Sequence, residues 1–107
     1  MKYVLIPTNK GTKTVLEENI IRIEACSNYC KIYFSNERPL VVAKVLHWFQ
    51  DILPEDTFCR IHRTHLVNRF YITDILGANH LTLSNGEIIQ MSRRKKHIYK
   101  TIMAQSA

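Results

Sequence analysis

A mostly β domain with two short helices is the fold class this sequence predicts, and three observations predict it. Short runs rich in β-branched and aromatic residues alternate with polar positions and are separated by turn compositions. Only two segments, about 43–53 and 93–103, change to the spacing of a helix. The chain has 107 residues, 46% of them hydrophobic, which is enough for one core and too little for two ordinary domains, so residues 1–107 are read as a single domain.

The elements follow in order. Tyr3 to Pro7 and Thr12 to Leu16 flank Asn9-Lys10-Gly11, the composition of an opening hairpin. Ile20 to Ala25 sets Ile21, Ile23 and Ala25 against Arg22 and Glu24. Ser27-Asn28 separates it from Tyr29 to Phe34, where Lys31 lies between apolar neighbours, and Ser35-Asn36-Glu37 leads to a strand over Pro39 to Val42. In Ala43 to Leu53 the period changes: Val45, Trp48, Phe49 and Ile52 fall at i, i+3, i+4 and i+7, one buried helical stripe with Trp48 in the core, and Pro54 ends it. Phe58 to Asn68 carries Phe58, Ile61, Leu66 and Val67 between basic residues, and Ile72 to Leu76 runs into a loop at Gly77-Ala78-Asn79. Leu81 and Leu83 alternate with polar neighbours, Asn85-Gly86 suits a type I′ turn, and Glu87 to Met91 returns. Ser92 then caps a helix with Ile98, Tyr99, Ile102 and Met103 on its buried side. The pattern amounts to about ten short strands and two helices.

The net charge of +6 is unevenly distributed. Residues 1–57 hold seven Lys/Arg and seven Asp/Glu, whereas eight Lys/Arg and only Asp74 and Glu87 follow. All of the excess lies in the second half, which separates a basic face from a generally basic protein and points to nucleic acid.

Other classes fit less well. The longest apolar run is a few residues, far short of a membrane span, and the cytoplasm is the expected compartment. Cys26, Cys30 and Cys59 form neither an even set nor a CxxC pair, so reduced thiols are expected. Cys59, His62 and His65 recur at intervals of three, but residues three apart do not share a face of a strand, and no metal site is expected. A nuclease with His62 or His65 as general acid lacks a nearby carboxylate pair, since Asp74 is the only acid between Asp56 and Glu87. Neither catalysis nor a cofactor is expected.

The segment from Phe58 to Arg69 interleaves apolar anchors with cations and hydrogen-bonding side chains, so its backbone can sit in a core while Arg63 and Thr64 point outward. A forked guanidinium can read guanine there, and a hydroxyl can meet phosphate. His62 and Asn68 are read as structural, each bonding its own loop, and His65 is left open.

Three strings now carry a resemblance: Ile23-Glu24-Ala25 followed by Asn28-Tyr29; Phe58-x-Arg60-Ile61-His62-Arg63-Thr64-His65-Leu66-Val67-Asn68; and Ser92-Arg93-Arg94. In order and spacing, over nearly the whole chain, they resemble the LytTR family of bacterial regulators. The resemblance implies an elongated ten-stranded fold whose loops enter successive major grooves of double-stranded DNA, usually on paired repeats and with bending. It places specificity in the loop around Asn28, Tyr29 and Cys30, in the loop holding Arg63, and at the start of the last helix at Arg94, with Thr64, Arg93 and Lys95 beside them at phosphates. Some relatives have a base-contacting polar residue at the position of Cys30; a thiol is a poor hydrogen-bonding group, which leaves Asn28 or Lys31 to substitute. The implied role is the output domain of a transcription regulator in a two-component system, a weak or DNA-dependent dimer joined in a longer chain to a receiver or membrane domain.

Two further expectations follow. Cys30, in a loop near DNA, is a candidate for oxidation, with Cys59 as a possible disulfide partner. The cations Arg93 to Lys96 directly after the Ser92 cap are unfavourable against the helix dipole, and a DNA phosphate beside Ser92 to Lys95 would reverse that. The rival from another class is a LytTR-fold interaction module that modulates a partner regulator; Arg63, Arg93, Arg94 and Lys95 speak against it, because such a module has no need of phosphate-facing cations. RNA binding is a lesser rival, lacking an aromatic platform.

Overall fold

The computed structural model describes residues 2–77 and 79–92. The expected helix at about 93–103, with Arg93, Arg94 and Lys95 at its start, lies outside the described residues. Within them the chain is mostly β, with ten strands in short antiparallel sheets. Strands β1 (Tyr3–Thr8) and β2 (Gly11–Leu16) form a hairpin. A central sheet has the order β5-β4-β3-β7-β6, built from β3 (Ile20–Cys26), β4 (Tyr29–Phe34), β5 (Leu40–Val42), β6 (Phe58–His62) and β7 (His65–Asn68). Strands β8 (Ile72–Leu76), β9 (His80–Leu83) and β10 (Ile88–Gln90) form a third sheet, and the molecule measures 41 × 31 × 24 Å.

Each face of the central sheet finds an apolar partner, one along most of the sheet and the other over β3, β7 and β6. On one, Ile23, Cys30, Ile32 and Leu66 pack against Val4, Ile6 and Val15 of the hairpin and against Leu46, Phe49 and Leu53. On the other, Cys59, Ile61 and Val67 meet Leu81, Leu83, Ile89 and Met91 of the third sheet. Successive residues Leu66 and Val67 therefore serve different cores, as the alternation of a strand requires.

Three sequence expectations change here. The helix is shorter than 43–53: α1 runs Leu46–Ile52, and Val45 is its extended N-cap residue. The buried stripe is consequently Leu46, Phe49 and Leu53, at i, i+3 and i+7, while Val45 and Ile52 are exposed. Trp48 is half-buried, edge-on to Phe49 with ring centroids 5.0 Å apart. Truncating Phe49 to Ala would remove a fully buried ring at about 3–5 kcal/mol.

Asn85-Gly86 does not make a type I′ turn, which needs positive φ at both central residues. Gly86 has φ 90 but Asn85 does not share it. Leu83 instead receives the Gly86 amide at its carbonyl and donates its own to Glu87, closing a three-residue loop in which glycine takes the left-handed position.

Arg22, assigned by alternation to a polar face, is 5% exposed. An irregularity between Ile20 and Arg22 lets Ile20 and Ile21 enter opposite cores and leaves Arg22 beneath the β9–β10 loop. Its guanidinium bonds Glu24 and Glu87 and lies 3.8 Å from the centroid of the Tyr33 ring, so the buried charge is paired.

Candidate nucleic-acid interface

Antiparallel pairing decides which turns share an end of the central sheet. The β3–β4 turn is Ser27-Asn28, because Cys26 pairs with Tyr29. The β6–β7 turn is Arg63-Thr64, because His62 pairs with His65. Glu24 lies opposite His65, and the Ala25 amide donates to the Thr64 carbonyl at 2.9 Å, which sets the two turns side by side. The chain leaving β10 reaches the same end, where the Ser92 amide donates to the Ile61 carbonyl at 2.6 Å. Arg93, the next residue in sequence, is outside the described residues, as are Arg94 and Lys95.

The first turn presents Ser27, Asn28 and Tyr29 to solvent. Ser27 has φ 58, the sign at the first turn position that hairpins with primed turns use. Lys31 lies opposite Glu24 on the next pair, with its ammonium 5.3 Å from the centroid of the Tyr33 ring.

Cys30 is not a surface residue, contrary to its expected place in the contact loop. It belongs to β4, where Cys30, Ile32 and Phe34 all point into the first core, and its exposure is 0%. Burial pushes its thiol up to about 11. Cys59 is also raised to about 11, chiefly by burial, but in the second core. The two sulfurs thus lie on opposite faces of the sheet, on strands three spacings or roughly 14 Å apart, well beyond the reach of a disulfide.

The second turn is held from within. The Thr64 amide donates to His62 Nδ1 at 3.2 Å, so that nitrogen carries no proton and also receives the Thr64 hydroxyl at 2.9 Å. Thr64 is therefore half-buried and committed to the turn, a different position from the open hydroxyl expected from sequence. Arg63 is exposed, and its side chain has no partner among the described residues.

Beneath it, Arg60 donates from Nε to the His62 carbonyl at 3.0 Å, from Nη2 to the Arg63 carbonyl at 2.6 Å, and from Nη1 to Gln50 of α1 at 3.0 Å. Sequence reasoning missed this residue. Its signal was present: on β6, Arg60 alternates with the buried Cys59 and Ile61, on the helix side of the sheet and three residues before Arg63 of the turn.

His65 stands 5.5 Å from His62, ring centre to ring centre, and its shielded Nδ1 has no partner among the described residues; burial pulls its pKa down. Asn68 is structural, as expected: it donates to the Ile20 carbonyl and accepts from the Phe70 amide, both at 3.0 Å, at the far end of β7. Cys59, His62 and His65 do not converge, and among the described residues no three His, Cys, Asp or Glu side chains could hold a metal. No helix of the described residues is long and apolar enough to cross a membrane.

Charge follows this geometry. Lys31, Arg60 and Arg63 gather at the turn end, where Glu24 is engaged by Arg22. Glu17 and Glu18 precede β3, and Asp56 precedes β6, so the acidic groups line a groove at the opposite end.

Residues 10–104 match the family model of the LytTr DNA-binding domain. No curated protein matches the chain in sequence. Among solved structures, the chain is similar to the LytTr DNA-binding domain of a Bacillus cereus protein described as a methyl-accepting/DNA response regulator. The TM-score is 0.78 at 23% identity, covering 96% of this chain and 97% of that one, which establishes the shared fold.

Proposed function

We propose, from the premise that this chain belongs to the LytTr DNA-binding domain family, that it reads double-stranded DNA by sequence and serves as the output domain of a bacterial transcription regulator. The observation that carries this is the Ala25–Thr64 backbone bond, which brings two exposed turns into one row on a basic end of the molecule. Asn28 and Tyr29 at one turn and Arg63 at the next are base-reading groups that enter the grooves of the duplex, and Arg94, outside the described residues, is the third. Lys31, Arg93 and Lys95 meet phosphates. Thr64 keeps the second turn in shape, and Cys30 has no part in contact.

Cation-to-phosphate bonds supply affinity and side chains on base edges supply choice. Sites arranged as paired repeats would let two copies bind together, a weak dimer formed on DNA, in a cytoplasmic protein whose other domains receive the signal. The test is selection of bound duplexes from a random pool. An enriched, repeated motif supports this reading; a pool that stays random at low salt, alongside capture of a partner regulator, would favour the interaction module instead.

A further inference from the structure

Beside the first turn, the basic end continues into a groove whose far wall none of the contacts above uses. Its walls are Thr8 and Asn9 of the β1–β2 turn, Asn28 and Tyr29, and Lys44 just beyond β5. It is open to solvent and holds about 550 Å³. Topology explains its place: Cys30 pairs with Val42, so β5 leaves the sheet at the same end as the Ser27-Asn28 turn.

We infer that this groove seats the sugar-phosphate strand bordering the DNA groove entered by the first turn, with Lys44 as its cation. The inference rests on the DNA-reading function proposed above and extends it to residues outside the three contact loops. Position is the first argument. The first turn is centred between β4 and β3, and β5 lies one and a half strand spacings away, roughly 7 Å. A major groove about 12 Å wide has its bordering backbone about 6 Å from its centre. A side chain at the middle of that groove would therefore put the phosphate strand over Lys44.

Chemistry is the second. Among the described residues no acid lines this groove, whereas Glu17, Glu18 and Asp56 line the one at the other end. Lys44 lies over the Trp48 ring, 5.3 Å from its centroid, with no carboxylate partner among the described residues. The Thr8 hydroxyl donates to the Gly11 carbonyl and receives the Lys10 amide, so the hairpin turn is already rigid and offers the exposed Asn9 amide at little ordering cost.

The full chain is titrated with a selected duplex and a scrambled one across a salt series, using Lys44→Gln and Asn9→Asp, with thermal unfolding as the control for folding. Both variants should bind the two duplexes more weakly by a common factor, and Lys44→Gln should flatten the slope of log affinity against log salt by about 0.9. Parental affinity and slope in both folded variants would overturn the inference while leaving DNA reading intact. A loss confined to the selected duplex would also overturn it, since Lys44 would then read a base. If the parent itself fails to prefer any duplex, the underlying function is wrong, and that is seen before any variant is made.

Discussion

The guanidinium of Arg22 and the carboxylate of Glu87, 65 residues apart in sequence, meet fork to fork at 2.7 and 3.4 Å. They fasten β3 to the β9–β10 loop across the edge of the second core. Burial opposes the charge on Arg22, but the hydrogen bonds it donates to Glu87 and Glu24 outweigh it and leave its pKa raised. The bond from Arg22 holds Glu87 below the ordinary carboxylate value despite some desolvation.

Glu87→Gln should lower stability near neutral pH by about 1–3 kcal/mol, since Arg22 keeps Glu24 and the Tyr33 ring but loses its forked partner. The contribution of Glu87 is complete above the unfolded value of 4.5 and is lost as pH falls through its lower folded value. Urea unfolding from pH 6 to pH 3 should give a shallower acid decline in the variant; a decline as steep as the parent's would remove Glu87 from the account.

His65 titrates in the opposite chemical sense with the same outcome. Burial depresses its folded pKa, so the unfolded chain takes up the proton first, near 6.5, and stability falls as pH drops through that window. His65→Leu should abolish this part of the pH dependence and tolerate the shielded site, because the ring's Nδ1 has no bond to lose. Equal slopes between pH 7.5 and pH 5.5 in parent and variant would rule it out.

The cysteines should separate cleanly by exposure. Cys30 and Cys59 are buried and raised to about 11, so a thiol reagent should modify the half-buried Cys26 first and the other two only as the protein opens. Peroxide should give no Cys30–Cys59 bridge in the folded protein. Cys30→Ser should cost stability, about 1–3 kcal/mol for an unpaired buried hydroxyl, without changing the response of DNA binding to peroxide. Mass spectrometry finding that bridge in native protein would contradict the assignment of the two thiols to opposite faces.

Arg60 and Arg63 should fail differently. Arg63→Ala should lose about 1–3 kcal/mol on the selected duplex and much less on a scrambled one, because a forked base contact disappears. Arg60→Lys keeps the charge but cannot donate to both turn carbonyls and Gln50 together, so it should weaken binding to every duplex and raise amide exchange at His62 to Thr64. Arg63→Ala weakening both duplexes equally would make it a phosphate contact only.

Much of this was legible from sequence because strands with one buried face announce themselves. The opening hairpin, the Ser27-Asn28 turn and the β8–β10 sheet follow from alternation and turn residues, and Asn68 from its place after Leu66-Val67. The departures have different causes, and the first lies in β3, β7 and β6, which are covered on both faces and so lack the polar side on which alternation depends. Arg22 looked like a solvent residue because its cover, Glu87, comes from the far end of the chain. Cys30 was placed in the contact loop by the family resemblance, whereas its place in the Tyr29 to Phe34 strand turns it inward. The helical stripe slipped by one residue since Val45, apolar and correctly spaced, is spent on an extended cap. For Arg60, alternation shows the side of the sheet it lies on, but the carbonyls it holds leave no trace in side-chain pattern.

Both turns that lie side by side are two residues long, and the strands on either side are registered by residues that face the cores. On the proposed function, recognition and folding would thereby fall to different sets of positions. Exchanging Asn28 or Arg63 alters the chemical group at the tip without changing the length or path of the chain beneath it. On that reading a scaffold of this kind could be retargeted one codon at a time, with the strands beneath left as they are.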